Sequence, residues 1–90
     1  MKLSDKISVP PQVMARKVGE ETVLLDLASG TYFGLDPVGA RIWQLIEGGK
    51  SLAQVCDVMV EEYDVTREVL ERDALTLTAE LVEKKLISVD

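Results

Sequence analysis

The chain has 90 residues, a formal net charge of −6, 47% apolar and 4% aromatic residues, no histidine and a single cysteine. That length allows one domain with one modest, largely aliphatic core. Without histidine the commonest general base and metal ligand are gone, a lone Cys56 makes neither an internal disulfide nor a thiolate zinc cage, and no apolar run approaches the ~18 residues of a membrane span.

In chain order, MKLSDKISVPP lacks the apolar stretch of a signal peptide, so the expected setting is the cytoplasm. Ile7 and Val9 alternate before Pro10-Pro11, and Met1 to Pro11 reads equally well as a loose tail or a brief edge strand. Val13 to Lys17 is the first convincing strand. Gly19-Glu20-Glu21 turns the chain and Thr22 to Leu27 pairs back. Val23, Leu25 and Leu27 alternate with Leu24 and Asp26, the period of a sheet with a core on one side. Ala28-Ser29-Gly30-Thr31 reverses the chain at Gly30, and Thr31 to Leu35 closes a three-stranded antiparallel meander.

Asp36 caps a helix with Pro37 in its first turn. This helix runs to Glu47, with Val38, Ile42, Leu45 and Ile46 on one face and Trp43 folding back onto the hairpin. Gly48-Gly49 ends it. Ser51 caps a second helix to about Tyr63, whose buried stripe is Leu52, Val55, Cys56, Met59 and Val60. Thr66 caps a third helix, Arg67 to Lys85. Leu70, Ala74, Leu77 and Leu81 share its core face, and Leu75, Val82 and Leu86 form a second apolar stripe. Leu86 to Val89 reads as a short extended end. The fold class is α+β, a winged helix-turn-helix-like arrangement of a three-stranded antiparallel sheet followed by three helices, in one domain over 1–90.

The paired carboxylates Glu61-Glu62, Glu71/Asp73 and Glu80/Glu83 sit at spacings typical of solvated helix faces. Gly48-Gly49-Lys50 lacks the spacing of a phosphate-binding loop. Cys56 lies inside an apolar stripe with acidic neighbours, the opposite of a reactive cysteine's surroundings. No catalytic set, metal site or cofactor site emerges, so the reading is a non-enzyme. A winged-helix regulator would put the start of the third helix in a major groove, but Glu68, Glu71 and Asp73 there would face phosphates.

Peptide capture fits better. The strand Thr31 to Leu35 is an edge with neither Lys nor Pro to blunt it. Such an edge is either covered by a helix of the same domain or open to receive a strand. A groove between Thr31, Tyr32, Phe33, Gly34 and Leu35 and the flank of the third helix carrying Val69, Arg72, Asp73, Thr76, Leu77 and Glu80 would suit strand addition. Val69, Leu77 and Tyr32 would hold aromatic or proline side chains. Asp73 and Glu80 would hold a Lys, an Arg or a hydroxyl.

The series LLDLASGTYFGLDPVGARIWQLIEGG, Ser51-Leu52 and a helix ending at Tyr63-Asp64-Val65 resembles the PqqD-like family, and within it the discrete proteins of lasso-peptide clusters. The resemblance runs over Val13 to Ile87. It implies a recognition element that binds the leader of a ribosomally made precursor peptide, pairing with the third strand and packing on the third helix. It further implies delivery to a separate leader peptidase and a cyclase, without nucleic acid, membrane or cofactor, as a monomer when peptide-bound. A carrier in pyrroloquinoline quinone biosynthesis and a winged-helix DNA-binding regulator remain as alternatives, as does a structural subunit whose edge a partner caps.

Overall fold

The computed structural model describes residues 2–89, so Met1 and Asp90, the outermost residues of the expected domain, lie outside the described residues. Four strands lead: β1 (Ile7–Ser8), β2 (Val13–Val18), β3 (Glu21–Asp26) and β4 (Tyr32–Leu35). Three helices follow, α1 (Pro37–Glu47), α2 (Leu52–Glu62) and α3 (Arg67–Glu83), and β5 (Ser88–Val89) ends the chain. β2, β3 and β4 form the antiparallel meander in that order. This is the α+β arrangement read from the sequence.

The turns are dictated locally. Gly19 takes φ +63 at the first central position of the two-residue turn between Val18 and Glu21, where a mirror-image hairpin turn needs it. The second reversal is built by Asp26. Its Oδ1 accepts hydrogen bonds from the Ala28 and Ser29 amides at 2.9 and 3.3 Å, and Gly30 takes φ +76.

Asp26 marks the inner face of the middle strand. Leu24 and Asp26 are buried, whereas Val23 and Leu25 are half-buried and Leu27 is exposed. The cross-strand pairs Val13–Asp26, Ala15–Leu24 and Leu24–Phe33 therefore line the core side. Both parities of VLLDL are apolar enough to face inward. The Asp26 turn, which must sit close to the backbone it caps, selects the parity of Leu24.

Each helix starts as its cap dictates. Asp36 Oδ1 accepts the Gly39 amide at 2.7 Å with Pro37 at the first position, Ser51 and Gln54 form a reciprocal capping box, and Thr66 Oγ1 accepts the Val69 amide. α2 stops at Glu62, one residue before the expected end, because Tyr63 takes an extended conformation. α3 stops at Glu83, short of the expected Lys85. Lys84 caps it and Lys85 turns left-handed at φ +62. The Lys85 amide donates to Val82 O and the Leu86 amide to Leu81 O, the paired bonds of a Schellman ending. That ending moves Leu86 off the helix and into the core, so the expected second stripe of α3 is not one. Leu75 is half-buried and Val82 is exposed. Lys85 carries a Cβ where glycine is usual, so Lys85→Gly should raise stability by about 1 kcal/mol in chemical denaturation.

The core lies between the meander and the three helices. Trp43, Leu24, Ile46, Leu52, Met59, Leu81 and Leu86 are all less than 2% exposed. Cys56 belongs to it, and burial pushes its thiol pKa up. The inward stripe of α3 is Leu70, Ala74, Thr78 and Leu81, with Leu77 only half-buried. Thr78 fits because its hydroxyl donates to Ala74 O at 2.8 Å.

Ile7–Ser8 is a strand, paired antiparallel with Ser88–Val89 rather than with the meander, so an early and a late segment of the described residues meet. The helices are tied by ion pairs. Arg41 on α1 grips both oxygens of Glu62 on α2, and the hydrogen bond holds the Glu62 carboxyl below its ordinary pKa.

Candidate peptide-binding groove

β4 ends the meander, and no further strand pairs with it among the described residues. Its hydrogen-bond parity follows from one bond. The Asp26 amide donates to Thr31 O at 2.8 Å. Antiparallel pairs alternate between bonded and non-bonded. With the register Leu24–Phe33 and Thr22–Leu35, residues 31, 33 and 35 turn their polar groups toward β3. Tyr32 and Gly34 therefore direct N–H and C=O to the open edge. A Cβ at Gly34 would meet nothing within 4 Å.

Beside that edge lies a cleft of about 400 Å³. Phe33, Leu35 and Asp36 form one wall, Val38, Gly39 and Ile42 the floor, and Asp73, Thr76 and Leu77 on α3 the far wall. Gly39 is buried, and a Cβ there would stand 3.2 Å from Asp36 Oδ1. α1 thus approaches the strand end closely enough to floor the cleft. The cleft is apolar below and acidic at its lip. Asp36 spends an oxygen on the α1 cap. Thr76 donates its hydroxyl to Arg72 O at 2.9 Å. The Asp73 side chain is 54% exposed, with Arg72 Nε 3.7 Å away, and keeps acceptor capacity free for a ligand.

Of the residues expected at the site, Phe33, Gly34, Leu35, Asp73, Thr76 and Leu77 come together around this cleft. Five do not line it. Tyr32 contributes edge backbone, but its side chain is 73% exposed on the outer face, opposite Leu25. Thr31 is occupied in the turn, where Ser29 Oγ donates to its hydroxyl at 2.9 Å. Val69 is half-buried toward the start of α3, and Arg72 and Glu80 are exposed. Asp36, Val38, Gly39 and Ile42 were not expected there. The i, i+4 spacing of Val38 and Ile42 was readable, but both were assigned wholly to the core.

The start of α3 is poorly suited to phosphate. Arg67 is already committed to Asp57 at 2.5 Å, Glu71 at 3.1 Å and Ala53 O at 3.2 Å, and its pKa is raised, chiefly by the Asp57 bond. No group of His, Cys, Asp and Glu suited to a metal ion occurs among the described residues, nor any helix long and apolar enough to cross a membrane.

No curated protein matches the chain by sequence. Three solved structures align over nearly its whole length, each with TM-score 0.82. TbiB1 in complex with the TbiA(beta) leader peptide is 41% identical, over 90% of this chain and 94% of that one. Lasso peptide synthetase B1 complexed with the leader peptide is 32% identical, over 91% and 96%. The PqqD truncation of Methylobacterium extorquens PqqCD, a stand-alone recognition element for ribosomally synthesized, post-translationally modified peptides, is 26% identical, over 97% and 93%. The family model for coenzyme PQQ synthesis protein D matches residues 21–87. With its meander, its three helices and this match over most of its length, the chain belongs to the PqqD family.

Proposed function

We propose that this protein binds the leader segment of a ribosomally made, lasso-type precursor peptide by strand addition to β4. The observation that carries the reading is the open edge: two outward N–H and C=O sets, at Tyr32 and Gly34, directly beside an apolar cleft with an acidic lip. Backbone bonds to such an edge supply affinity for any extended chain, and the cleft selects alternate side chains. Phe33, Val38, Ile42 and Leu77 suit the apolar body of an aromatic or proline side chain, and Asp73 suits a donor at its tip. Two relatives at 41% and 32% identity were solved as leader-peptide complexes, which favours a lasso-type leader over the pyrroloquinoline quinone precursor.

The protein has no chemistry of its own in this reading. It holds the precursor for a separate leader peptidase and then a cyclase. Tethering raises the effective concentration of the cleavage site at the peptidase, so a modest affinity suffices. The leader orders on binding, which concentrates recognition in a few anchors.

Fluorescence anisotropy with labelled TbiA(beta) leader peptide tests the reading. Saturable binding to the wild type is expected. Asp73→Arg should weaken it about tenfold, the ~1.4 kcal/mol of a charge-assisted contact at a partly exposed site, with an unchanged circular dichroism spectrum. Unchanged affinity in the folded variant removes Asp73 from the site. Saturable, salt-sensitive binding of duplex DNA instead of peptide would move the function to the regulator class.

A further inference from the structure

The cleft has an acidic side chain in its lining and a basic one beside it. Asp73 lines the cleft with its side chain 54% exposed. Lys84 follows Asp73 by eleven residues, at the cap of α3. Its Nζ lies 5.9 Å from the centroid of the Phe33 ring, which lines the same cleft. An ammonium over an aromatic face is held there electrostatically while part of its shell stays open to another partner.

The backbone of Lys84 is fixed on both sides. Its amide donates to Glu80 O at 3.0 Å, and the Schellman turn behind it anchors the fully buried Leu86. None of the ion pairs among the described residues uses Lys84. A cation with no carboxylate partner is therefore positioned at the rim of a groove whose lip is otherwise acidic.

We propose that Lys84 is a specificity residue that reads a carboxylate on the bound peptide. This rests on the peptide-binding reading above. The ligand then carries two markers on its groove-facing side, a donor or cation opposite Asp73 and an acidic side chain opposite Lys84. Their spacing follows from geometry. Eleven helical residues put the two α-carbons about 16 Å apart, but the Lys84 side chain reaches back to Phe33, so the charged tips are at most about four residues apart on an extended chain that advances about 3.3 Å per residue. Side chains on one face of a strand recur every second residue, so the markers stand about two or four apart.

The test is an array of the TbiA(beta) leader peptide in which every position is replaced in turn by Glu and by Lys. It is probed with wild type, Lys84→Glu, Lys84→Gln, Asp73→Lys and, as a distant control on β2, Lys17→Glu. The wild type should favour Glu over Lys by about fivefold at one position, the size of an exposed ion pair. Lys84→Glu should invert that preference there and nowhere else, Lys84→Gln should flatten it, and Lys17→Glu should leave it alone. The position that responds to Asp73→Lys should lie two or four residues away. An array profile identical for wild type and Lys84→Glu overturns the proposal and leaves peptide binding standing. A wild type that binds no member saturably overturns the peptide-binding reading itself.

Discussion

Gly34→Pro should weaken leader binding about thirtyfold and keep the fold, whereas Phe33→Pro should strongly destabilise the fold. The two residues are neighbours on one strand, and only hydrogen-bond parity separates them. Gly34 turns its N–H to the open edge, so a proline there removes a donor that only a ligand uses. The ring also occupies the line along which the ligand backbone would approach. Losing that bond and leaving a ligand carbonyl unpaired costs about 2 kcal/mol, roughly thirtyfold in affinity. Phe33 precedes the substituted position in an extended conformation, which proline tolerates in its neighbour. Gly34→Ala keeps the donor and adds a Cβ into open space, so it should bind like the wild type.

Phe33→Pro deletes the N–H paired with Leu24, which is fully buried at the centre of the sheet. It leaves the Leu24 carbonyl unpaired and strips the Phe33 ring from the core side. The combined loss is about 3 kcal/mol or more. At 4–8 °C per kcal/mol for a domain of this size, the melting temperature should fall by about 15 °C or more. Thermal melts beside anisotropy distinguish the two outcomes. Equal melting temperatures for Phe33→Pro and Gly34→Pro would contradict the assigned parity.

The second large effect is at Trp43. It is 1% exposed and packs under the meander from α1. Trp43→Ala should cost about 3–5 kcal/mol in urea denaturation, a large part of the ~5–13 kcal/mol expected for 90 residues. Trp43→Phe should cost only about 1–2 kcal/mol. The Nε1 proton meets no acceptor among the described residues, so Phe removes volume and no hydrogen bond. A Trp43→Ala cost below about 1.5 kcal/mol would mean that the ring is not a core element.

These predictions rest on features of different legibility. The caps at Asp36, Ser51 and Thr66 and the turn at Gly30 were readable because cap and turn chemistry acts within a few residues. The face of β3 was not, since Val23, Leu25 and Leu27 offer as much apolar surface as Leu24. Burial of Asp26 depends on a turn bond that no periodicity reveals. The end of α3 was overshot because Lys84 and Lys85 are good helix formers, and only the insertion of Leu86 into the core forces the left-handed exit.

The groove was partly legible for the same reasons. Helical spacing brought Asp73, Thr76 and Leu77 onto one flank. It added Val69, Arg72 and Glu80, because the rotation of α3 about its axis is set by packing of Leu70, Ala74, Thr78 and Leu81. Tyr32 is expected in the groove as an aromatic residue on the edge strand. The register with Leu25 turns it away. Val38 and Ile42 serve core and cleft at once, a double duty invisible in a hydrophobic stripe. Lys84 reaches Phe33 only because α3 ends where it does.

The most direct measurement is a ¹⁵N–¹H titration of the wild type with the TbiA(beta) leader peptide, followed by amide exchange of the complex. The Tyr32 and Gly34 amides should shift with Asp73, Thr76 and Leu77 along a single saturation curve and become protected from exchange, while the Phe33 amide, already bonded to β3, is protected from the start. Saturating shifts confined to β2 or to the outer face of the sheet, with Tyr32 and Gly34 still exchanging freely, would contradict strand addition at β4.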